Sequence, residues 1–180
     1  VLFESKYLQV ELRRLETALR DKAAEFNDVL KMGRTHLQDA VPLMLGQEFT
    51  AYANVIDRCI ARIDRAVQSM KEINMGATAV GTGLNADPAY IKEVTTRLSS
   101  ISGFSLSSTQ NLVDGTQNTD AFLEVSSSLK ILATNLSKIA NDLRLLTSGP
   151  RCGLNEINLP EVQPGSSIMP GKVNPVMAEV

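Results

Sequence analysis

The chain has 180 residues, 18 of them basic and 20 acidic, for a formal net charge of −2. That length supplies one ordinary domain with a sizeable core, and the mixed charge excludes the basic stripe that a nucleic-acid partner requires. Two cysteines, Cys59 and Cys152, are too few for a disulfide framework; with no signal peptide and no long uncharged apolar span, the expectation is a cytoplasmic protein without a membrane partner.

From Glu4 to Leu30 the residues Leu8, Leu12, Leu15, Leu19, Phe26 and Leu30 recur at helical spacing among charges, which predicts an amphipathic helix. The polar stretch KMGRTHLQDAVP, broken by Gly33 and Pro42, reads as a loop. A second helix is expected from Pro42 or Leu43 to about Ile73, with Leu45, Phe49, Tyr52, Ile56, Ile60, Ile63, Val67 and Met70 on one face. The glycine-rich GATAVGTGLNADP then connects to a shorter helix that Asp87 caps, Pro88 starts and Gly103 stops near Ser102. FSLSSTQNLVDGTQNT predicts irregular chain or a short helical turn.

Between Asp120 and Ser148 the apolar residues Phe122, Val125, Leu129, Leu132, Leu136, Ile139, Leu143 and Leu146 alternate by three and four, a heptad seam that Gly149 and Pro150 end. Such a helix is about 45 Å long at 1.5 Å per residue. The second helix has a similar length and seam, so the two are expected side by side. Ala61, Ala121, Ala133 and Ala140 offer small positions where further helices approach. The fold class expected is all-α, an elongated helical bundle completed by other chains. The start at VLFESKYLQV, already helical in pattern, and the end at VMAEV read as cuts in a longer polypeptide, with residues 1–180 as one central helical-bundle domain and further domains on either side.

PGSSIMPGKVNP, from Pro164 to Pro175, is the segment with most chemistry in it. It is not a nucleotide phosphate loop: five residues separate Gly165 from Gly171, and Val173 stands where a magnesium-binding hydroxyl is needed. GTGLNA, Gly81 to Ala86, matches the dinucleotide fingerprint in letters only and reads as a turn between helices. A single histidine, His36, excludes a multi-histidine metal site, and no cofactor is implied. Beside Thr35 and Arg34 in a polar stretch, His36 is either a functional titrating group or a surface residue. Lys172 and Asn174, two residues apart in an extended loop, can reach one carboxylate. Amides around Ser166 and Ser167 can form an anion-binding nest that lowers a hydroxyl pKa. A surface turn with a solvated lysine fits those residues equally well.

GRTHLQDAVP at Gly33 to Pro42, GTGLN at Gly81 to Asn85, GSSIMPGKVNP at Gly165 to Pro175 and KIANDLRLLTSGPRCGLNEINLP at Lys138 to Pro160 together resemble the class II fumarase and aspartase superfamily of lyases, in the same order and over essentially the whole chain. NLVDGTQNTDAF, Asn111 to Phe122, and the terminal GKVNPVMAEV resemble its ammonia-lyase branch more than its fumarases. The resemblance implies reversible deamination of L-aspartate to fumarate and ammonia in a homotetramer whose sites are each built from three subunits. It assigns Ser166 as the base that takes the Cβ proton, with Ser167 at the second carboxylate. Lys172 and Asn174 fall at the α-carboxylate, and Thr35 and His36 beside that carboxylate and the leaving amine. Some members carry glutamine where His36 stands, so a role in binding is open to it. The superfamily's third motif, an SSxN-like segment, is absent from these residues, which predicts that the chain alone is inactive. Alternatives are a class II fumarase using the same residues, a non-catalytic structural bundle, and a plain coiled-coil module that leaves the three loops unexplained.

Overall fold

The structure, a computed structural model, describes residues 1–180 and divides them into two compact units, Val1–Lys130 and Ile131–Val180. Five helices dominate, α1 (Leu2–Glu25), α2 (Leu45–Ser69), α3 (Pro88–Ser102), α4 (Leu112–Gln117) and α5 (Asp120–Leu146), the last running from the first unit into the second. Strands β1 (Leu30–Thr35) and β2 (Gln38–Met44) form an antiparallel hairpin, and two-residue strands β3 (Glu72–Ile73) and β4 (Ser107–Ser108) pair in parallel. The expected all-α character holds apart from these two small sheets.

The core of the first unit is one face of α2. Phe49, Tyr52, Ala53, Ile56, Cys59, Ile60, Ile63, Ala66 and Val67 are all buried, and removing each large aliphatic side chain from water stabilises by about 1.5–3 kcal/mol. The helix laid along α2 is α1, through buried Leu12 and Leu19. A three-four seam declares that a helix has a partner and says nothing of which one. Within the first unit, the opening turns of α5 meet the end of α2 where the Ser69 hydroxyl donates to Glu124 at 2.7 Å.

Alternate residues of the α5 seam differ in burial. Val125, Leu132, Ile139 and Leu146, seven apart, are buried, whereas Phe122 and Leu129 remain 58% and 40% exposed.

Cap chemistry places the shorter helices. Asp87 accepts the Ala89 amide at 2.8 Å, Pro88 occupies the first turn, and Gly103 closes α3 in the left-handed region at φ 71°. Asn111 accepts from both Val113 and Asp114 at the start of α4. The connection between β3 and α3, which carries Gly81–Ala86, is irregular, as the fingerprint's rejection required. Formally α3 joins two parallel strands, but strands of two residues give no dinucleotide unit.

α1 ends at Glu25, short of the expected Leu30, because Asn27 and Asp28 favour a turn and Phe26 closes the helix. Phe26 still packs edge-to-face on Phe49 at 5.3 Å, so the apolar spacing outlasts the helix.

Along the edge of the α1–α2 contact, Glu16 accepts from Arg20 at 2.7 Å and Arg13 at 3.0 Å, and Arg13 also reaches Asp57 of α2 at 2.7 Å. The hydrogen bond from Arg20, aided by Arg13 and opposed by burial, holds the Glu16 carboxyl below its ordinary value. A depressed folded-state pKa stabilises above the unfolded value near 4.3 and is lost as pH falls through the folded one. With both arginines half exposed, Glu16→Gln should cost about 0.5–1 kcal/mol at pH 6. The deficit should shrink as pH falls below the unfolded value, read as urea unfolding midpoints of the two chains at each pH.

Candidate active site

Thr35 and His36 lie at the tip of the hairpin that sequence alone reads as a loop. Thr35 pairs with Gln38, leaving His36 and Leu37 as a two-residue turn with φ of 53° and 62°. Positive φ at both positions is the signature of a type I′ turn, which ordinarily takes Asn-Gly. Histidine tolerates the left-handed region better than most residues, whereas leucine there is strained. The register shifts between Met32 and Arg34, a bulge at Gly33, where a Cβ would stand 2.8 Å from the Val41 carbonyl oxygen. Pro42 pairs opposite Met32, tolerated because both strands are edges.

The base of the hairpin is tied to the helices. Leu45 donates its amide to Val29 at 2.8 Å and Gly46 to Phe26 at 3.0 Å, and the buried Lys31 ammonium binds Glu48 in the first turn of α2 at 2.8 Å. The tip projects into solvent: Thr35 and His36 are exposed and Leu37 is 68% exposed. Both predicted residues are therefore presented outward together from an anchored stem.

In the second unit Ser166, Ser167, Lys172 and Asn174 share the single irregular loop between Pro164 and Pro175. The Gly165 amide donates to the Lys172 carbonyl at 3.1 Å and the Lys172 amide to the Met169 carbonyl at 3.2 Å. Half-buried Ser166 accepts the Ile168 amide at 3.3 Å on its hydroxyl oxygen. An N–H aimed at a hydroxyl oxygen favours the alkoxide over the alcohol. Ser167 and Lys172 are exposed and Asn174 is half-buried, its side-chain amide donating to the Gly165 carbonyl at 3.1 Å. Chain order hides that last bond and the Ile168 amide, because neither a backbone donor nor a contact across nine residues leaves a mark in residue type.

The loop leads into a 3₁₀ turn, Val176–Ala178, whose flanking Glu179 meets Arg144 near the end of α5 at 3.6 Å. Three or more His, Cys, Asp or Glu side chains converge nowhere in the structure, so the chemistry these residues offer is that of hydroxyls, amides, one ammonium and one imidazole.

Comparison with known proteins gives this arrangement a context. A family profile described as Lyase matches residues 3–180. The aspartate ammonia-lyase of Bacillus subtilis is 62% identical over 178 residues, 97% of this chain and 38% of that protein. Among solved structures, a fumarate lyase:delta crystallin from Brucella melitensis bound to cobalt superposes with a TM-score of 0.93 at 53% identity, over 99% of this chain and 39% of that one. A recombinant class II fumarase from Schistosoma mansoni gives 0.91 at 36% identity, over 95% of this chain and 39% of that one. The chain thus spans well under half the length of the relatives it matches. By profile, sequence and fold, it belongs to the lyase family that contains the aspartate ammonia-lyases and the class II fumarases.

Proposed function

We propose that this chain is the central domain of an aspartate ammonia-lyase, with further domains on either side. The observation that carries the reading is the loop in which Ser166 receives an amide hydrogen on its oxygen, in a chain 62% identical to an enzyme of that name. As an oxyanion, Ser166 removes a Cβ proton from L-aspartate. The electron pair left on Cβ enters the neighbouring carboxylate, giving an aci-carboxylate, and then forms the double bond of fumarate as the Cα–N bond breaks and ammonia departs. Such an intermediate carries more negative charge than the substrate, so donors aimed at it lower the barrier. Ser167 meets that carboxylate, Lys172 and Asn174 hold the α-carboxylate, and Thr35 and His36 stand beside the leaving amine.

Each complete site takes elements from three subunits of a homotetramer, and these 180 residues alone lack turnover. Exposure of Phe122 and Leu129 on α5 supports assembly, because large apolar seam residues left wet are the surface another helix covers. No helix is long and apolar enough to cross a membrane, in keeping with a cytoplasmic enzyme.

A fumarase would use the same loop on malate, and the Schistosoma mansoni likeness keeps that second reading in view. The identity to the ammonia-lyase, 62% against 36%, favours deamination. Full-length protein given fumarate and ammonium should form aspartate and no malate, identified by chromatography of the products. Malate as the product would replace the ammonia-lyase with a hydratase.

A further inference from the structure

Gly165 has a role beyond turning the chain. A Cβ at this position would lie 2.2 Å from the Lys172 carbonyl oxygen and 2.7 Å from its carbon, so only glycine allows the two ends of the loop to meet. Both polar groups of Gly165 are held by the opposite side of that junction. Its N–H donates to Lys172 at 3.1 Å, and its carbonyl accepts from the Asn174 side chain at 3.1 Å. The carbonyl of Gly165 and the nitrogen of Ser166 belong to one rigid peptide plane. Whatever fixes that carbonyl fixes the plane from which Ser166 starts.

We infer that Asn174 is a positioning residue for Ser166: through the Gly165 carbonyl it closes residues 165–174 into a ring that orients the serine toward the Ile168 amide. One N–H of the amide braces the ring and the other remains for a substrate carboxylate. Carboxylate binding and alignment of the base are then mechanically linked, because Lys172 and Asn174 are both the carboxylate's ligands and the ring's closing residues. A side chain that only bound substrate would, when removed, raise KM and leave kcat alone. A ring brace lowers kcat as well, and its loss is shared with any other break in the ring. What the ring presents rests on the ammonia-lyase reading; the ring itself does not.

The test uses the full-length protein and the variants Asn174→Ala, Asn174→Ser, Gly165→Ala and the double Gly165→Ala/Asn174→Ala. Hydrogen exchange of peptides covering residues 164–175, without substrate, reads the ring directly. Asn174→Ala, Asn174→Ser and Gly165→Ala should each speed exchange there by up to about tenfold, the scale of one or two hydrogen bonds. Melting temperature should hold, since the loop is largely exposed; where alanine at 174 lowers it, serine supplies the same loss of reach in a smaller change. On aspartate, each single variant should lower kcat by about tenfold or more, and the double should fall no further than the worse single. Unchanged exchange in Asn174→Ala, a rise in KM with kcat intact, or multiplying losses in the double would overturn the brace. Wild-type protein inactive on aspartate would sink the ammonia-lyase reading, with the exchange data still deciding the ring.

Discussion

Replacing Ser166 with alanine in the full-length protein should lower kcat for aspartate deamination by about 10³–10⁴-fold, near the upper range for loss of a positioned general base, with KM changed far less. Serine is a weak base unless its anion is stabilised, and on the proposed assignment that stabilisation comes from the loop's own backbone: the Ile168 amide points at the hydroxyl oxygen at 3.3 Å. The side chain is half-buried and its hydrogen bond to the Ile168 amide stays within the loop, so alanine should leave melting behaviour intact and isolate the chemistry. Fumarate release followed by ultraviolet absorbance reads the rate. Lys172→Met is the instructive companion, because a lost carboxylate contact raises KM as its first effect. A Ser166→Ala protein retaining a tenth of wild-type kcat would mean that the proton leaves to another group.

The largest effect on stability is expected at Gly81→Ala. A Cβ there would lie 2.3 Å from Val113 Cα and 2.5 Å from its nitrogen, and the residue sits at φ +93°. Two costs add: about 1–3 kcal/mol for a side chain in a sparsely populated backbone region and about 1–3 kcal/mol for overpacking against backbone that cannot turn aside. A loss of roughly 4 kcal/mol follows, as the loop of residues 74–87 lifts from the start of α4. Gly103→Ala separates the terms, since Gly103 has φ +71° and nothing within 4 Å of its missing Cβ. That change should cost about 1 kcal/mol. Equal urea midpoints for the two variants would show that the close approach at Gly81 contributes nothing.

What the sequence discloses tracks how local the physics is. Asp87, Pro88 and Gly103 bracket α3 at the expected places because caps are decided by the residues beside them. The buried face of α2 and the end of α5 before Gly149 follow from spacing and a helix stop. The hairpin escapes notice for three reasons. Its turn is His-Leu, its strands bury almost nothing on either face, and Gly33 and Pro42 look like breakers when one marks a bulge and the other an edge. Parallel pairing of β3 with β4 joins residues more than thirty positions apart through two residues on each side and has no local signal. At the site the same division holds. Ser166, Ser167 and Lys172 are recognisable as a polar cluster in a glycine-proline loop, whereas the inward bond of Asn174 depends on chain closure and is visible only in three dimensions.

The turn at His36 and Leu37 bears on how this protein responds to selection for heat resistance. Asn-Gly is the pair such a turn favours, so a search scored on melting temperature alone finds an easy improvement at these two positions and discards the imidazole in taking it. Natural chains sit below their stability optimum where a working residue occupies a structurally awkward place. On the proposed assignment of His36, laboratory evolution of the full-length protein gains by screening turnover and thermal tolerance together, and by leaving position 36 out of any library built for robustness.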